Sequence, residues 1–247
     1  MEPIEILLPE TDSTNNRLRE MINSGEMPEF SSVRADYQTA GRGQVGNTWE
    51  SERGKNLLMS FLVRPEKLDV HLQFYLSMAI SIAIVETVAQ YVDNVRIKWP
   101  NDIYVADKKL VGILIENNLR GAQIAETIVG LGLNVNQLQF LSDAPNPVSL
   151  SQLTGKNYDI DTLAREIISN AKRWISEVKA EKWDAITDRY MALLYRNDGR
   201  YHAFRDAQGE FRGRIVSIAP DGRLHLIDTD GECRQYYFKE VEYIINQ

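Results

Sequence analysis

The sequence predicts an α+β protein: a mixed sheet with helices over residues 1–195, then a small antiparallel β-barrel over residues 196–247. Three observations lead there. Before Arg196, segments with two-residue alternation are interleaved with segments of helical period. Ile160, Leu163, Ile167, Ile168, Ala171, Trp174, Ile175 and Val178 trace one clean helical stripe. After Arg196 only short alternating segments remain, split by turn sequences at Asp206–Gly209, Pro220–Gly222 and Asp230–Gly231.

Taken in order, Ile4 to Leu8 reads as the first strand. Asp12-Ser13-Thr14-Asn15 follows, a dense run of cap-forming side chains. A helix then runs to about Ser24, with Leu18, Met21 and Ile22 on one face and Gly25 as its stop. Two roles stay open for Ser13 and Thr14. The simpler is to cap this helix; the other is to hold polar ligand atoms beside its free N–H groups. Val33, Ala35 and Tyr37 alternate with Arg34 and Asp36, a second strand.

Asn56 to Val63 is apolar on both faces and is expected to be a central strand, ended by Pro65. Val70 to Val92 reads as a buried core helix. Val95, Ile97 and Trp99 alternate with Arg96 and Lys98 up to Pro100-Asn101-Asp102. Ile103–Ala106 and Leu110–Glu116 form a hairpin across Asp107-Lys108, with Lys109 where the second strand begins. Ile128 to Val135 is a further strand containing Gly130 and Gly132, and glycine inside a strand marks close approach of a ligand or another backbone. Residues 138–158 are turn-rich and irregular. The Ile160–Val178 helix and a shorter one over Trp183–Leu194 complete the first part.

The stretch Tyr37 to Trp49 concentrates the chemistry. Gly41, Gly43 and Gly46 lie in one short loop around Arg42. Glycines let a backbone approach a ligand closely, and an arginine among them offers a planar fork of donors to a carboxylate or phosphate. Gly41-x-Gly43-x-x-Gly46 also matches a dinucleotide fingerprint, but that motif needs a helix opening at the loop. Here Asn47–Ser51, a turn at Arg53-Gly54-Lys55 and a strand follow instead. The composition is that of a loop wrapping an anionic small molecule. Ordering three glycines within six residues costs of order 1–2 kcal/mol per fixed residue. The expectation is that residues 41–49 become ordered when a ligand supplies Arg42 with a charge partner and Trp49 with an apolar surface.

Composition excludes several classes. A net charge of −7 without a Lys/Arg cluster argues against a nucleic-acid partner. The single cysteine, Cys233, allows no internal disulfide and no multi-cysteine metal site, and fits the cytoplasm. His71, His202 and His225 are scattered without ligand spacing. Glu2 and Glu5 replace the basic region of a signal peptide. The apolar run from Leu72 is broken by Gln73, Ser77 and Ser81, so no membrane partner is expected.

Five clusters stand out: Ser13-Thr14-Asn15, Gln38 to Trp49, Lys98-Trp-Pro-Asn-Asp102, Lys109-Leu-Val-Gly-Ile113 and Gly130-Leu-Gly-Leu-Asn134. They suit a site that joins a carboxylate to a nucleotide with a metal ion. In this order and at these distances they resemble the biotin–protein ligases, over residues 10–136, and the C-terminal barrel fits that family's last domain.

The resemblance implies a biotin/lipoate-ligase-like sheet of the class II aminoacyl-tRNA-synthetase type, with an SH3-like barrel. It implies ATP and Mg²⁺ as cofactors, biotin as substrate and a biotin carboxyl carrier protein or domain as partner, with a homodimer as a further possibility. By similarity, Ser13, Thr14, Asn15 and Gln38 would bind biotin's ureido ring, and Gly112 and Gly130 would leave room for its bicycle. Arg42, Gly43 and Gln44 would cover its carboxylate and the phosphate. Lys109 would sit with Arg42 at the carboxylate–phosphate junction as the catalytic pair. Trp49, Asn101 and Asn134 would meet the nucleotide, and Asp102 is the metal candidate, although Asn101 and Asp102 equally suit a turn cap.

Two departures from the family's best-known bacterial type are visible. The catalytic region starts within the first dozen residues, which predicts no DNA-binding domain ahead of it, and Gln44 and Val45 stand where that type has arginines. A lipoate–protein ligase shares the fold and adenylation logic but needs no ureido-binding set. A non-catalytic biotin or nucleotide sensor would need neither Lys109 nor Arg42.

Overall fold

The computed structural model describes residues 1–43, 48–141 and 146–245. Its first part is a seven-stranded mixed sheet: β1 (Glu5–Leu8), β2 (Ser32–Ala35), β3 (Leu57–Val63), β4 (Val95–Lys98), β5 (Asp102–Val105), β6 (Lys108–Arg120) and β7 (Gln123–Leu133). The spatial order is β1-β2-β3-β7-β6-β5-β4. Only β1 and β2 run parallel; every other neighbouring pair is antiparallel.

Helix α1 (Thr14–Ser24) covers one face. Helices α2 (Phe74–Val88), α4 (Ile160–Lys179) and α5 (Trp183–Leu193) cover the other. Because side chains alternate across a strand, the three middle strands sort cleanly. Met59 and Phe61, Val111 and Ile113, and Val129 and Leu131 all join the large core under α2. Their neighbours Ser60, Gly112, Gly130 and Gly132 point to the opposite face. There, further along the strands, Leu62 and Ile128 pack with Leu18 of α1.

Several elements differ from expectation in extent. The helix expected over 70–92 opens as a single 3-10 turn, Val70–Leu72, and α2 ends at Val88, with a turn over residues 89–91. Val70–Val88 is long and apolar enough to cross a membrane by composition. In α2 thirteen of fifteen residues are buried inside the protein, so it is a core helix. The hairpin of β6 and β7 continues out to Arg120 and Gln123, around Gly121 at φ +65°. Its outer half is mostly polar, and Leu119, Ile124 and Ala125 are too few to set an alternation. A five-residue helix, α3 (Leu150–Thr154), lies inside the segment expected to be irregular. Its capping box, Ser149 with Gln152, was the signal available in the sequence.

The C-terminal strands β8 (His202–Asp206), β9 (Gly209–Ile218), β10 (Leu224–Asp228), β11 (Cys233–Tyr236) and β12 (Glu242–Tyr243) form one antiparallel, SH3-like sheet in the order β11-β10-β9-β8-β12. It shares the main core: Phe204, Ile215, Leu224 and Leu226 belong to the same buried cluster as α2 and α5. The Trp99 indole N–H donates to the Gly222 carbonyl at 2.9 Å.

Candidate active site

The face of the sheet left free by α1 carries a cavity of about 670 Å³. Its floor follows from strand register. Leu58, Gly132, Gly112 and Asp102 stand opposite one another across β3, β7, β6 and β5, and Lys98 of β4 pairs with Asp102. One row along, Ser60, Gly130 and Leu114 are opposite. The glycines hollow the floor. A Cβ on Gly130 would come within 2.2 Å of the Asn15 carboxamide oxygen. Cβ atoms on Gly112 and Gly132 would meet the Trp49 ring at 2.7 and 2.4 Å.

One end of the cavity is neutral and buried. Ser13 begins α1 but makes no capping hydrogen bond with its side chain. The simpler of the two roles, the cap, is therefore not the one it takes; Ser13 and Thr14 line the cavity. Gln38 Oε1 accepts the Thr14 backbone N–H at 2.7 Å. The Thr14 hydroxyl lies 3.1 Å from Gln38 Oε1 and 2.7 Å from Ser60 Oγ. Ser60 donates to Asn15 Oδ1 at 2.5 Å, and Asn15 Nδ2 donates to Glu116 at 2.6 Å. Glu116 also receives Arg19 at 2.8 Å and Arg42 at 3.3 Å. Burial works against its charge, but hydrogen bonds from Asn15 and Arg19 and the charges of Arg19 and Arg42 hold its carboxyl below the ordinary value.

The other end is charged. Lys109 Nζ bonds Asp102 at 2.8 Å and stands 5.8 Å from the centre of the Trp49 ring. Lys98 Nζ is 5.2 Å from both the Tyr104 and the Tyr243 ring centres. Burial pushes the Lys98 ammonium down, partly offset by Asp102. Asn101 lines this end, with its Nδ2 donating to the Ile113 carbonyl. Phe238, Glu242 and Tyr243 bring the C-terminal sheet to the rim.

The structure thus gathers nearly every expected residue around one cavity: Ser13, Thr14, Asn15, Gln38, Arg42, Gly43, Trp49, Asn101, Asp102, Lys109, Gly112 and Gly130. Gln44 lies outside the described residues. Asn134 does not line the cavity. It is buried beyond the end of β7, donating from Nδ2 to the Val148 carbonyl at 3.1 Å.

Sequence reasoning missed Ser60 and Glu116, which hold Asn15 from behind the cavity wall, and gave no role to Lys98 and Gly132, although both fall inside clusters it singled out. Gly132 and Glu116 share strand faces with Gly130 and Gly112, so the two-residue period of β7 and β6 carried the signal. Ser60 is the one polar residue in an apolar run.

Mg²⁺ can be tested against the donor set. Among the described residues no group of three His, Cys, Asp or Glu side chains could hold a metal. Asp102, already paired with Lys109, is the carboxylate available at the charged floor. That set fits an ion carried in on nucleotide phosphates, the usual mode for magnesium, and not a dedicated protein cage.

Comparison with known proteins agrees with this architecture. The family model of the biotin/lipoate A/B protein ligases matches residues 7–134. The bifunctional ligase/repressor BirA of Bacillus subtilis is 30% identical over 238 residues, covering 93% of this chain and 71% of that protein. The biotin–[acetyl-CoA-carboxylase] ligase of Mycobacterium tuberculosis is 30% identical over 178 residues, covering 68% of this chain and 64% of that protein. Among solved structures, the Aquifex aeolicus biotin protein ligase in complex with biotin and ATP superposes with a TM-score of 0.79 at 24% identity, over 98% of this chain and 99% of that one. A point mutant of the Aquifex aeolicus ligase in complex with biotin gives 0.78 at 25% identity over the whole of both chains. This chain belongs to the biotin/lipoate A/B protein ligase family.

Proposed function

We propose that this protein is a biotin–protein ligase, which activates biotin with ATP to biotinyl-5′-AMP and transfers the biotinyl group to a lysine of a biotin carboxyl carrier domain. One observation carries the choice within the family. The same cavity joins a buried neutral hydrogen-bonding end, lined by Thr14, Asn15 and Gln38 and backed by Ser60, to a cationic end at Lys109. A ureido ring has N–H donors and a carbonyl acceptor to match the first end. A lipoyl dithiolane has neither.

In the first step a biotin carboxylate oxygen attacks the α-phosphorus of ATP and pyrophosphate leaves. Lys109 and Arg42 would offset the negative charge that gathers at the carboxylate–phosphate junction. Preorganised donors of this kind act on charge that develops only in the transition state. In the second step the carrier amine attacks the acyl carbon, AMP leaves and the amine loses a proton. Asp102 would hold Mg²⁺ together with the nucleotide phosphates, where the ion neutralises phosphate charge. The Trp49 ring on Gly112 and Gly132 would form a wall against the bound adenylate. Asn134, held by its Nδ2 bond to the Val148 carbonyl, would have its unpartnered Oδ1 to offer the nucleotide. We assign residues 1–195 to the catalytic domain and 196–247 to the barrel, with the cytoplasm as the compartment.

The test is incubation with biotin, ATP·Mg²⁺ and an unmodified carrier domain, read by intact mass, with lipoate in a parallel arm. One biotinyl group per carrier is expected. Absence of both adenylate and labelled carrier at saturating substrate, or labelling by lipoate alone, would refute the reading.

A further inference from the structure

Glu116 stands 2.6 Å from the Asn15 carboxamide, yet the biotin-ligase reading gives it no part in the chemistry. Its place at the end of a buried chain of polar groups assigns it one. The chain runs Gln38, Thr14, Ser60, Asn15, Glu116, and three of its members are essentially without exposed surface: Thr14 at 4%, Asn15 at 3% and Ser60 at 0%. In such a chain the position of each proton is decided by the groups whose roles cannot change.

Two groups here have fixed roles. The backbone N–H of Thr14 can only donate, so the Gln38 oxygen must face it, and Gln38 Nε2 is left as a donor. At the far end, an ionised carboxylate can only accept. Arg19 and Arg42 flank Glu116 and favour that ionised form. Asn15 must therefore turn Nδ2 to Glu116 and Oδ1 to Ser60. The single Ser60 proton is then committed to Asn15. The Thr14 proton is committed within the protein as well, to Ser60 at 2.7 Å or to Gln38 at 3.1 Å. What Thr14 offers the cavity is an oxygen lone pair.

We propose that Glu116 is a positioning residue that sets the hydrogen-bond polarity of the ring-binding end, so that Thr14 presents an acceptor and Gln38 a donor, and that it thereby selects a ring bearing an N–H beside a C=O. Without the carboxylate, Asn15 is free to rotate its amide by half a turn. Nδ2 then donates to Ser60, the Ser60 proton turns to Thr14, and the Thr14 proton, displaced from Ser60, turns to Gln38 or into the cavity, so that Thr14 no longer presents only an acceptor there. This inference rests on the biotin-ligase reading for the identity of the ring.

The test compares biotin with its two cyclic-carbamate analogues, each carrying a ring oxygen in place of one ureido N–H. Rates of substrate-dependent pyrophosphate exchange give kcat/KM for each. Effects on the carboxylate and nucleotide cancel in the ratio, because all three compounds share the same valerate chain. Wild-type protein should prefer biotin over at least one analogue. Glu116→Gln should reduce that preference about tenfold, the scale of one well-placed hydrogen bond. Ser60→Ala, a smaller and separate cut in the same chain, should reduce it similarly. Arg42→Ala should lower the rates and leave the preference unchanged, and the preference of biotin over desthiobiotin, whose ureido ring is intact, should hold in all variants. If Glu116→Gln or Ser60→Ala melts cooperatively yet keeps the wild-type preference, or if Arg42→Ala abolishes it, the assignment is overturned. If wild-type protein does not activate biotin at all, the functional reading fails and not the polarity argument.

Discussion

The two ends of the cavity solve different physical problems. At the ring end, Thr14, Asn15 and Ser60 are almost fully buried and neutral, and their positions are fixed by mutual hydrogen bonds between one strand and a helix start. At the junction end the side chains carry full charges and keep contact with water: Lys109 is 26% exposed, Asp102 23% and Arg42 40%. A ring that never changes charge is well served by groups locked in a low-dielectric wall, where an unmatched polar atom is costly. A carboxylate that becomes an acyl phosphate needs cations that can follow the charge. Specificity is thus expected to live at the buried end and rate at the exposed end.

The sharpest way to break this division is Lys109→Ala. Loss of one preorganised cation should lower biotin-dependent pyrophosphate exchange by about 10²–10³. The Lys109–Asp102 pair is partly exposed, so stability should fall by only about 1 kcal/mol or less. A wild-type exchange rate with a lowered melting temperature would make Lys109 structural and erase the contrast.

Gly130→Ala probes the other end. Its methyl group would meet Asn15, itself pinned by Ser60 and Glu116, so the wall must shift. Overpacking of this kind costs about 1–3 kcal/mol. It should appear as a raised KM for biotin with KM for ATP unchanged; equal effects on both would show that the ends are not independent.

The glycine loop connects the two ends, and hydrogen exchange can sharpen its role. Trp49 donates its backbone N–H to Gly41 at 3.0 Å, and Arg42 pairs with Thr48. Biotinyl-AMP should slow exchange across residues 41–49, because release requires the loop to open again. Identical exchange with and without the adenylate would show a preformed loop that retains nothing.

The smallest expected effect concerns acid. The Glu116 carboxyl is held below its ordinary value of 4.5 in the folded protein. A depressed carboxylate contributes stability that is present above the unfolded value and is lost as pH falls through the folded one. Wild-type and Glu116→Gln proteins should therefore differ in stability at neutral pH and converge as pH drops below about 4.5. For a half-buried group sharing water the difference should be about 1 kcal/mol or less. Parallel stability curves through that range would remove Glu116 as a charged partner.

Much of this site could be read along the chain because its chemistry comes in short runs. Lys98 to Asp102 and Lys109 to Gly112 are contiguous, and a motif spaced by two or three residues shows its residue types whatever the fold. The helix stripe from Ile160 to Val178 was equally plain, since a face buried at every third or fourth position writes itself into hydropathy. The outer half of the β6–β7 hairpin was not, because Leu119, Ile124 and Ala125 among polar neighbours are too few to set a period. Nor was the role of Ser13, whose residue type suits a cap and a ligand equally well.

The sequence alone determined the composition of the site: which residues could donate, accept or carry charge, and that glycines would stand where space is needed. Only the tertiary structure decided which of them meet. Glu116 and Asn15 are 101 residues apart in the chain, and Ser60 reaches Thr14 across 46. Those contacts depend on the register of β3, β7 and β6 and on where α1 crosses the sheet. A shift of one residue in any of these strands would turn its side chains to the opposite face and dissolve the chain of hydrogen bonds. Register is held by the sum of apolar contacts beneath the sheet, spread over Met59, Phe61, Val111, Ile113, Val129 and Leu131. No single motif encodes it, and so the polarity of the pocket is a property of the fold, not of any one stretch.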